Sequence, residues 1–361
     1  MFEGNTKIAL KDLDRRIELR SDTLTHPTTE MLHAMSNAEF GDDVYGEDPT
    51  VNKLEQLAAT LFGKEEAIFM PSGTMANLAS IMAHCPRGSK VLVGNESDIY
   101  IYEAAGASVC GGVMYEPLKT QSDGRIDLSD LESAFPNDLD DPQFALPSLI
   151  CLENPHNRMG GSVLPISYLS ELKEFSGYKK IPIHMDGARI FNAAISLNRP
   201  VKEIAYYADS LQFCLSKGLS SPVGSIVVGS RIFIKKVRRI RKMLGGGMRQ
   251  AGVLAAAGII SLTKMTDRLK EDHDNARLLA EGLSNIDGVF CNLASIETNI
   301  VFFRIKEDIM SWQSFIRLVR AKGLFVEELG HGRIRAVTHR GVSAKDIHNA
   351  LDIVKDVLES Q

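Results

Sequence analysis

"EAIFMPSGTMANLASIMAH", Glu66–His84, decides how the chain folds. "EAIFM" is a short apolar run of strand length, and "PSGTMANLASIMAH" is a turn that opens a helix. Upstream, "TVNKLEQLAATLFG" begins at Thr50 and places Val51, Leu54, Leu57, Ala58 and Leu61 at helical spacing before stopping at Gly63. Downstream come "KVLVG", "SLICLEN", "IPIHMD" and "SLQFCLS", short apolar runs of which the last three end in polar or charged residues. Strands alternating with helices predict an α/β fold with a mostly parallel central sheet. Sites in such sheets collect at the carboxyl ends of the strands. The polar ends of these runs are therefore where chemistry is to be sought.

A second region follows the glycine cluster near Gly245. "TDRLKEDHDNARLLAEGL" predicts a long helix, "NIVFFRI", "LFVEEL" and "GRIRAVTH" predict strands, and "AKDIHNALDIVKDVLES" a terminal helix. The expected organisation is an N-terminal arm over 1–20, a large domain over 21–265 and a smaller C-terminal α+β domain over 266–361. A chain of 361 residues exceeds one ordinary core of ~100–150 residues, which suits two domains.

Composition narrows the function classes. With 44% hydrophobic and 24% charged residues the chain is globular, and a net charge of −5 argues against general nucleic-acid binding. The basic run "KKVRRIRK", Lys235–Lys242, reads as a solvated helix face near a subunit boundary rather than a nucleic-acid patch. Five cysteines, an odd number with no C-x-x-C pair, read as free thiols in a reducing cytosol. No apolar run approaches the ~20 residues of a membrane span, and "MFEGNTKIALKDLDRRIEL" lacks the apolar centre of a signal peptide. A cytoplasmic location is expected. No cluster of metal-site spacing is visible.

Three motifs carry chemistry. Ser72, Gly73 and Thr74 in "PSGTMAN" would offer backbone N–H groups and hydroxyls at the positive end of a helix, an anion site suited to phosphate. A plain helix cap by Ser72 or Thr74 reads the same way. Asp186 in "IHMDGAR" ends a strand and could hold a pyridinium nitrogen; it could equally cap the next helix and pair with Arg189. Lys217 in "CLSKGLSSPVGS" follows an apolar strand among small residues that let a flat ring approach, and desolvation there eases loss of its proton. By itself it is also an ordinary loop lysine. Together the three supply an anchor, an electron-sink partner and a covalent tether, which is what pyridoxal phosphate requires.

The ordered motifs resemble those of the threonine aldolase family, fold type I enzymes dependent on pyridoxal 5'-phosphate. "LRSDTLTHPT", "GDDVYGEDPTVNKLE", "ENPHN", "HMDGARIFNA", "SKGLSSPVGS", "LGGGMRQAG" and "RAVTH" follow in the family's order over nearly the whole chain. The resemblance implies cleavage of Cα–Cβ in a β-hydroxy-α-amino acid of the L-threonine or L-allo-threonine type, giving glycine and an aldehyde. It also implies roles. Lys217 matches the Schiff-base lysine, Asp186 the acid on the ring nitrogen, and Ser72, Gly73 and Thr74 the phosphate cradle. Arg189 and Arg335 match arginines near the cofactor and the substrate carboxylate, and Ser21 a serine that helps hold that carboxylate. Tyr45 matches an aromatic wall and His156 a histidine near the substrate hydroxyl. Arg249 matches an arginine that reaches the phosphate of a neighbouring subunit, so a homodimer or homotetramer with shared active sites is implied. The chain departs from the family at Asp98, in "SDIYIYEAAG", where relatives usually carry a ring-stacking histidine. Pro155, where threonine is more usual, is a smaller departure. Asp98 therefore joins Lys217 and His156 as a candidate catalytic residue, and it motivates an alternative: an amino-acid racemase or β-eliminating lyase on the same scaffold.

Overall fold

A computed structural model describes residues 16–360. The first fifteen residues of the expected arm lie outside the described ones. The chain divides into two compact units, Thr25–Glu271 and a second made of the chain up to Leu24 with Asp272 onward. In chain order the strands are β1 (Ile17–Glu18), β2 (Glu66–Met70), β3 (Lys90–Gly94), β4 (Met114–Leu118), β5 (Pro147–Glu153), β6 (Ile183–Asp186), β7 (Ser210–Cys214), β8 (Ser225–Gly229), β9 (Val289–Cys291), β10 (Ile300–Ile305), β11 (Leu324–Phe325), β12 (Glu327–Glu328) and β13 (Ile334–Val337).

The Thr25–Glu271 unit is built on a seven-stranded sheet of order β2-β8-β7-β6-β5-β3-β4. β7, β6, β5, β3 and β4 pair in parallel, and β8 runs antiparallel to both β7 and β2. Helices cover both faces of the sheet, so β6, β7 and β8 are buried at every position, their few polar side chains included. β4 and β8 add two strands to those expected from the sequence. β4, "MYEPL", sits at an edge, where Pro117 costs no ladder hydrogen bond and Met114 stays exposed.

The helix expected from Thr50 spans Pro49–Phe62. Asp48 caps it by accepting from the Thr50 and Val51 N–H groups, proline occupies its first turn, and Gly63 ends it at φ 61°. Its buried face delivers Phe62 onto Phe213 of β7, ring centroids 4.6 Å apart and stacked, with Phe191 edge-on to both. The basic run lies on the helix Arg231–Met243. Its solvated-face reading needs correction. Val237 and Ile234 are buried, Arg238 pairs with Glu55 at 2.9 Å, and Arg241 is 2% exposed with Asp43 at 2.7 Å. Two of the cations thus turn inward to meet buried carboxylates.

In the other unit a four-stranded antiparallel sheet of order β12-β13-β10-β9 stands beside a parallel pair, β1 with β11. Helices Trp312–Ala321 and Ala344–Glu359 cover a core that includes Val301, Phe303, Phe315, Ile334 and Ile347. Ile17 and Leu19 are buried in that same core, so this part of the polar N-terminal stretch is a strand with its own apolar anchor.

Candidate active site

The carboxyl ends of the parallel strands converge on a cavity of about 330 Å³. Asp186 is the last residue of β6 and Lys217 stands three residues beyond β7. Ser72, Gly73 and Thr74 follow β2 and open the helix Gly73–His84, and Asp98 follows β3. All six line the cavity, together with Asn77, Glu103, Gln212 and Cys214.

Asp186 is 3% exposed. Its Oδ2 accepts from Asn77 Nδ2 at 2.8 Å, and its Oδ1 accepts from the Ala188 N–H at 3.0 Å and from Gln212 Nε2. Burial lifts its carboxyl above the ordinary range, and the nearby Asp98 adds to that; Lys217, Asn77 and the Ala188 N–H act the other way. Three donors aimed at one carboxyl favour its ionised form, which accepts at every lone pair.

Lys217 is fixed through its backbone. Its carbonyl accepts from Thr25 Oγ1 at 2.8 Å and from the Ser220 N–H at 2.8 Å, with Ser220 in the left-handed region at φ 63°. Gly73 contributes by having no side chain: a Cβ there would stand 3.0 Å from Cys214 Sγ and 3.6 Å from Gln212 Oε1. Ser72 caps the helix by accepting from the Met75 N–H.

Asp98 begins a short helix, Asp98–Ile101. Its N–H donates to Glu153 Oε2 at 2.8 Å, and its carboxylate accepts from Asn157 Nδ2 at 3.1 and 3.3 Å. Glu153, the last residue of β5, also accepts from the Asn157 N–H at 2.8 Å. Burial pushes Glu153 well above the ordinary carboxylate range, with Asp98 and Asp186 adding to it. Glu103 is pushed up in the same way, by burial first and then by Asp186. The cavity therefore gathers the carboxyl groups of Asp98, Glu103 and Asp186 near Lys217, and burial raises those of Glu103 and Asp186.

The remaining candidates are not among the residues that line this cavity. His156 is 1% exposed, outside the cavity wall, with Nδ1 3.8 Å from Glu153 Oε1. Arg189 is buried at the start of the helix Ile190–Ser196 and is not part of the wall. Tyr45 is 73% exposed, and Arg249 lies 5.8 Å from its ring centroid while pairing with Asp42 at 2.8 Å. In the other unit Ser21 Oγ accepts from the Thr23 N–H, and Arg335, on β13, donates to the Arg20 carbonyl at 3.0 Å. Sequence reasoning assigned no role to Asn77, Gln212, Glu103, Glu153 or Asn157. Gln212 carries a signal that was available: an amide inside the apolar strand "SLQFC" needs a buried partner. Among the described residues no group of three or more His, Cys, Asp or Glu could hold a metal ion.

Comparison with known proteins gives the family and the fold. The family model for beta-eliminating lyases matches residues 18–306. The chain is 42% identical over 346 residues to low-specificity L-threonine aldolase 1 of Arabidopsis thaliana, covering 95% of this chain and 97% of that one. It is 45% identical over 331 residues to the low specificity L-threonine aldolase of Escherichia coli K12, covering 92% and 96%. Among solved structures, a Leishmania major threonine aldolase superposes with a TM-score of 0.79 at 19% identity, covering 94% of this chain and 98% of that one, which shows the shared fold. The chain belongs to the beta-eliminating lyase family and, within it, to the threonine aldolases.

Proposed function

We propose that the protein is a pyridoxal-phosphate-dependent aldolase that cleaves Cα–Cβ of L-threonine or L-allo-threonine, giving glycine and an aldehyde. The observation that carries this reading is the convergence of Lys217, Asp186 and the Gly73 helix terminus on one cavity, in a chain whose relatives bear the threonine aldolase name.

The residues present fit the cofactor. A Cβ at residue 73 would fill the cradle at the helix terminus, whose N–H groups and positive dipole end suit a phosphate. Asp186 is a buried, triply hydrogen-bonded carboxylate of the kind that a cationic ring nitrogen needs. Gln212 Oε1 beside it is buried without a hydrogen-bond partner among the described residues, which leaves room for a donor. When bound, pyridoxal phosphate supplies an electron sink for the bond broken at Cα. The chain does the rest. Lys217 would hold the cofactor through its amine and would supply a base within the cavity. Asp98, held by Asn157 and facing the cavity, is the carboxylate placed to take the hydroxyl proton. His156, behind that wall and beside Glu153, would act on the loop that carries Asn157. Arg189, Arg335 and Ser21 are proposed to hold the substrate carboxylate, where planar guanidinium groups bind bidentately.

A homo-oligomer is proposed from the exposure of Tyr45 beside Arg249. A cytoplasmic location is proposed from the five free thiols. No described helix is long and apolar enough to cross a membrane.

Adding pyridoxal phosphate to the purified protein tests the cofactor. A Schiff-base absorbance band near the visible–ultraviolet border is expected from the wild type and not from Lys217→Ala; its absence from both would overturn the reading. For the reaction, L-threonine, L-allo-threonine and phenylserine should all release glycine. Rapid racemisation of alanine with no glycine from any of the three would favour the racemase alternative instead.

A further inference from the structure

The face of β6 and β7 beneath the Gly73 helix carries a polar strip that runs beyond the groups the proposed chemistry uses. His184 and Asp186 point to the same side of β6, two residues apart, and pair across the sheet with Ser210 and Gln212 of β7. Asn77 and His84, seven residues apart on the Gly73 helix, lie over this strip. His84 Nε2 is 2.8 Å from Ser210 Oγ, which is 2.8 Å from His184 Nδ1. His184 Nε2 is 3.1 Å from Asn77 Oδ1, and Asn77 Nδ2 donates to both Asp186 Oδ2 and Glu103 Oε1 at 2.8 Å. His184, Ser210 and Asn77 are all essentially buried.

With the Asn77 amide oriented as it stands, the hydrogen bonds of this chain take one consistent direction. Asn77 spends its amide N–H groups on two carboxyls, so its Oδ1 can only accept, and His184 Nε2 must carry the proton. A neutral His184 then presents a bare Nδ1, which accepts from the Ser210 hydroxyl. Ser210 Oγ in turn accepts from His84 Nε2–H. Burial keeps both imidazoles neutral, pulling His84 down to about 4 and His184 to about 3. Were Asn77 to flip, its carbonyl would face the Asp186 carboxyl, and His184, Ser210 and His84 would all have to reverse their donor and acceptor roles. Burying the four side chains of Asn77, His84, His184 and Ser210 carries a desolvation cost that an apolar strip would avoid.

We propose that His184, Ser210 and His84 are positioning residues: a one-way chain of donors that locks the Asn77 amide toward Asp186 and so holds that carboxylate, through its hydrogen bond, in place for the ring nitrogen of the cofactor. This rests on the pyridoxal phosphate reading above. The structure shows Gln212 and Ala188 as further donors to Asp186, so the loss of Asn77 weakens the carboxylate's hold without abolishing it.

The test has two parts. In cofactor-free protein labelled with nitrogen-15 at histidine, His184 should show the Nε2–H tautomer near neutral pH, and Ser210→Ala should convert it to a mixture. In the second part, His184→Met should raise the dissociation constant for pyridoxal phosphate about tenfold or more, the scale of one hydrogen bond to a charged group. His184→Gln, whose amide can still donate to Asn77, should restore most of the affinity. If His184→Met fails to fold, the tautomer of the unmodified protein and of Ser210→Ala still decides. An Nδ1–H tautomer at His184, an unchanged tautomer in Ser210→Ala, or His184→Met binding within twofold of wild type would each overturn the inference alone. Failure of the wild type to bind pyridoxal phosphate would overturn the cofactor reading, and this inference with it.

Discussion

Asp98 is where a single residue bears most on the chemistry. Its carboxylate is clamped by Asn157 and its N–H by Glu153, so it does not turn away from the cavity. A fixed carboxylate beside a lysine can accept a hydroxyl proton without stacking on a ring. Asp98→Asn should therefore lower kcat for threonine cleavage about 10²-fold, within the range for loss of a general base, while Asp98→His should stay within about tenfold of wild type. Steady-state glycine release checks this; an Asp98→Asn enzyme with unchanged kcat would remove Asp98 from the proton path. Lys217→Ala should cost about 10³-fold or more in kcat/KM, since covalent attachment and a base are lost together. At this scale Lys217, Asp186 and Gly73 were legible because each stands at or just beyond the end of a recognisable strand, and Asp98 because it departs from the pattern of the family the motifs resemble. Asn77 was not, because its contact with Asp186 spans 109 residues and exists only once the sheet and helix are assembled.

Elements are held in register by buried caps as much as by apolar contact. Asp48, fully buried, accepts from the N–H groups of Thr50 and Val51 with Oδ1, and from Gly252 at 2.9 Å and Gly41 at 3.3 Å with Oδ2. One carboxylate thus caps the Pro49–Phe62 helix and ties it to the start of the helix Gly252–Ile260. Gly252 has to be glycine at this contact, since a Cβ would stand 2.6 Å from Asp48 Oδ1. Asp48→Ala leaves several buried N–H groups without an acceptor and should cost about 3–5 kcal/mol. That appears as a lower urea midpoint at unchanged slope; a loss under about 1 kcal/mol would contradict the cap's importance. The sequence showed this helix's periodicity and its stop at Gly63. It hid β4, whose Glu116 and Pro117 break the apolar pattern at a sheet edge, and the "SIVVG" strand, which followed a loop read for its room rather than its continuation.

At the scale of the whole molecule, burial sets a pH signature with opposing signs. Glu55, Glu103, Glu153 and Asp186 have raised carboxyl pKa values, so they favour the folded state at low pH and lose that contribution as pH rises. His84 acts oppositely. Its pKa falls from 6.5 unfolded to about 4 folded, so it adds stability above 6.5 and loses it as pH drops toward 4. The stability advantage of wild type over His84→Gln should shrink by about 1.4 kcal/mol per pH unit across that window. Urea unfolding of both proteins at several pH values measures it, and a constant difference would mean that His84 titrates normally. The α/β class and the strand-end site could be read from the sequence because hydrophobic period and polar strand ends are local. The buried polar strip beneath Asp186 could not, because its partners come from two strands and a helix. The central claim is that the bond broken lies between Cα and Cβ. Products of L-threonine, measured with pyridoxal phosphate present, test it most directly: glycine and acetaldehyde should form one-to-one with threonine consumed. Ammonia with a 2-oxo acid, or threonine recovered epimerised at Cα without glycine, would contradict it.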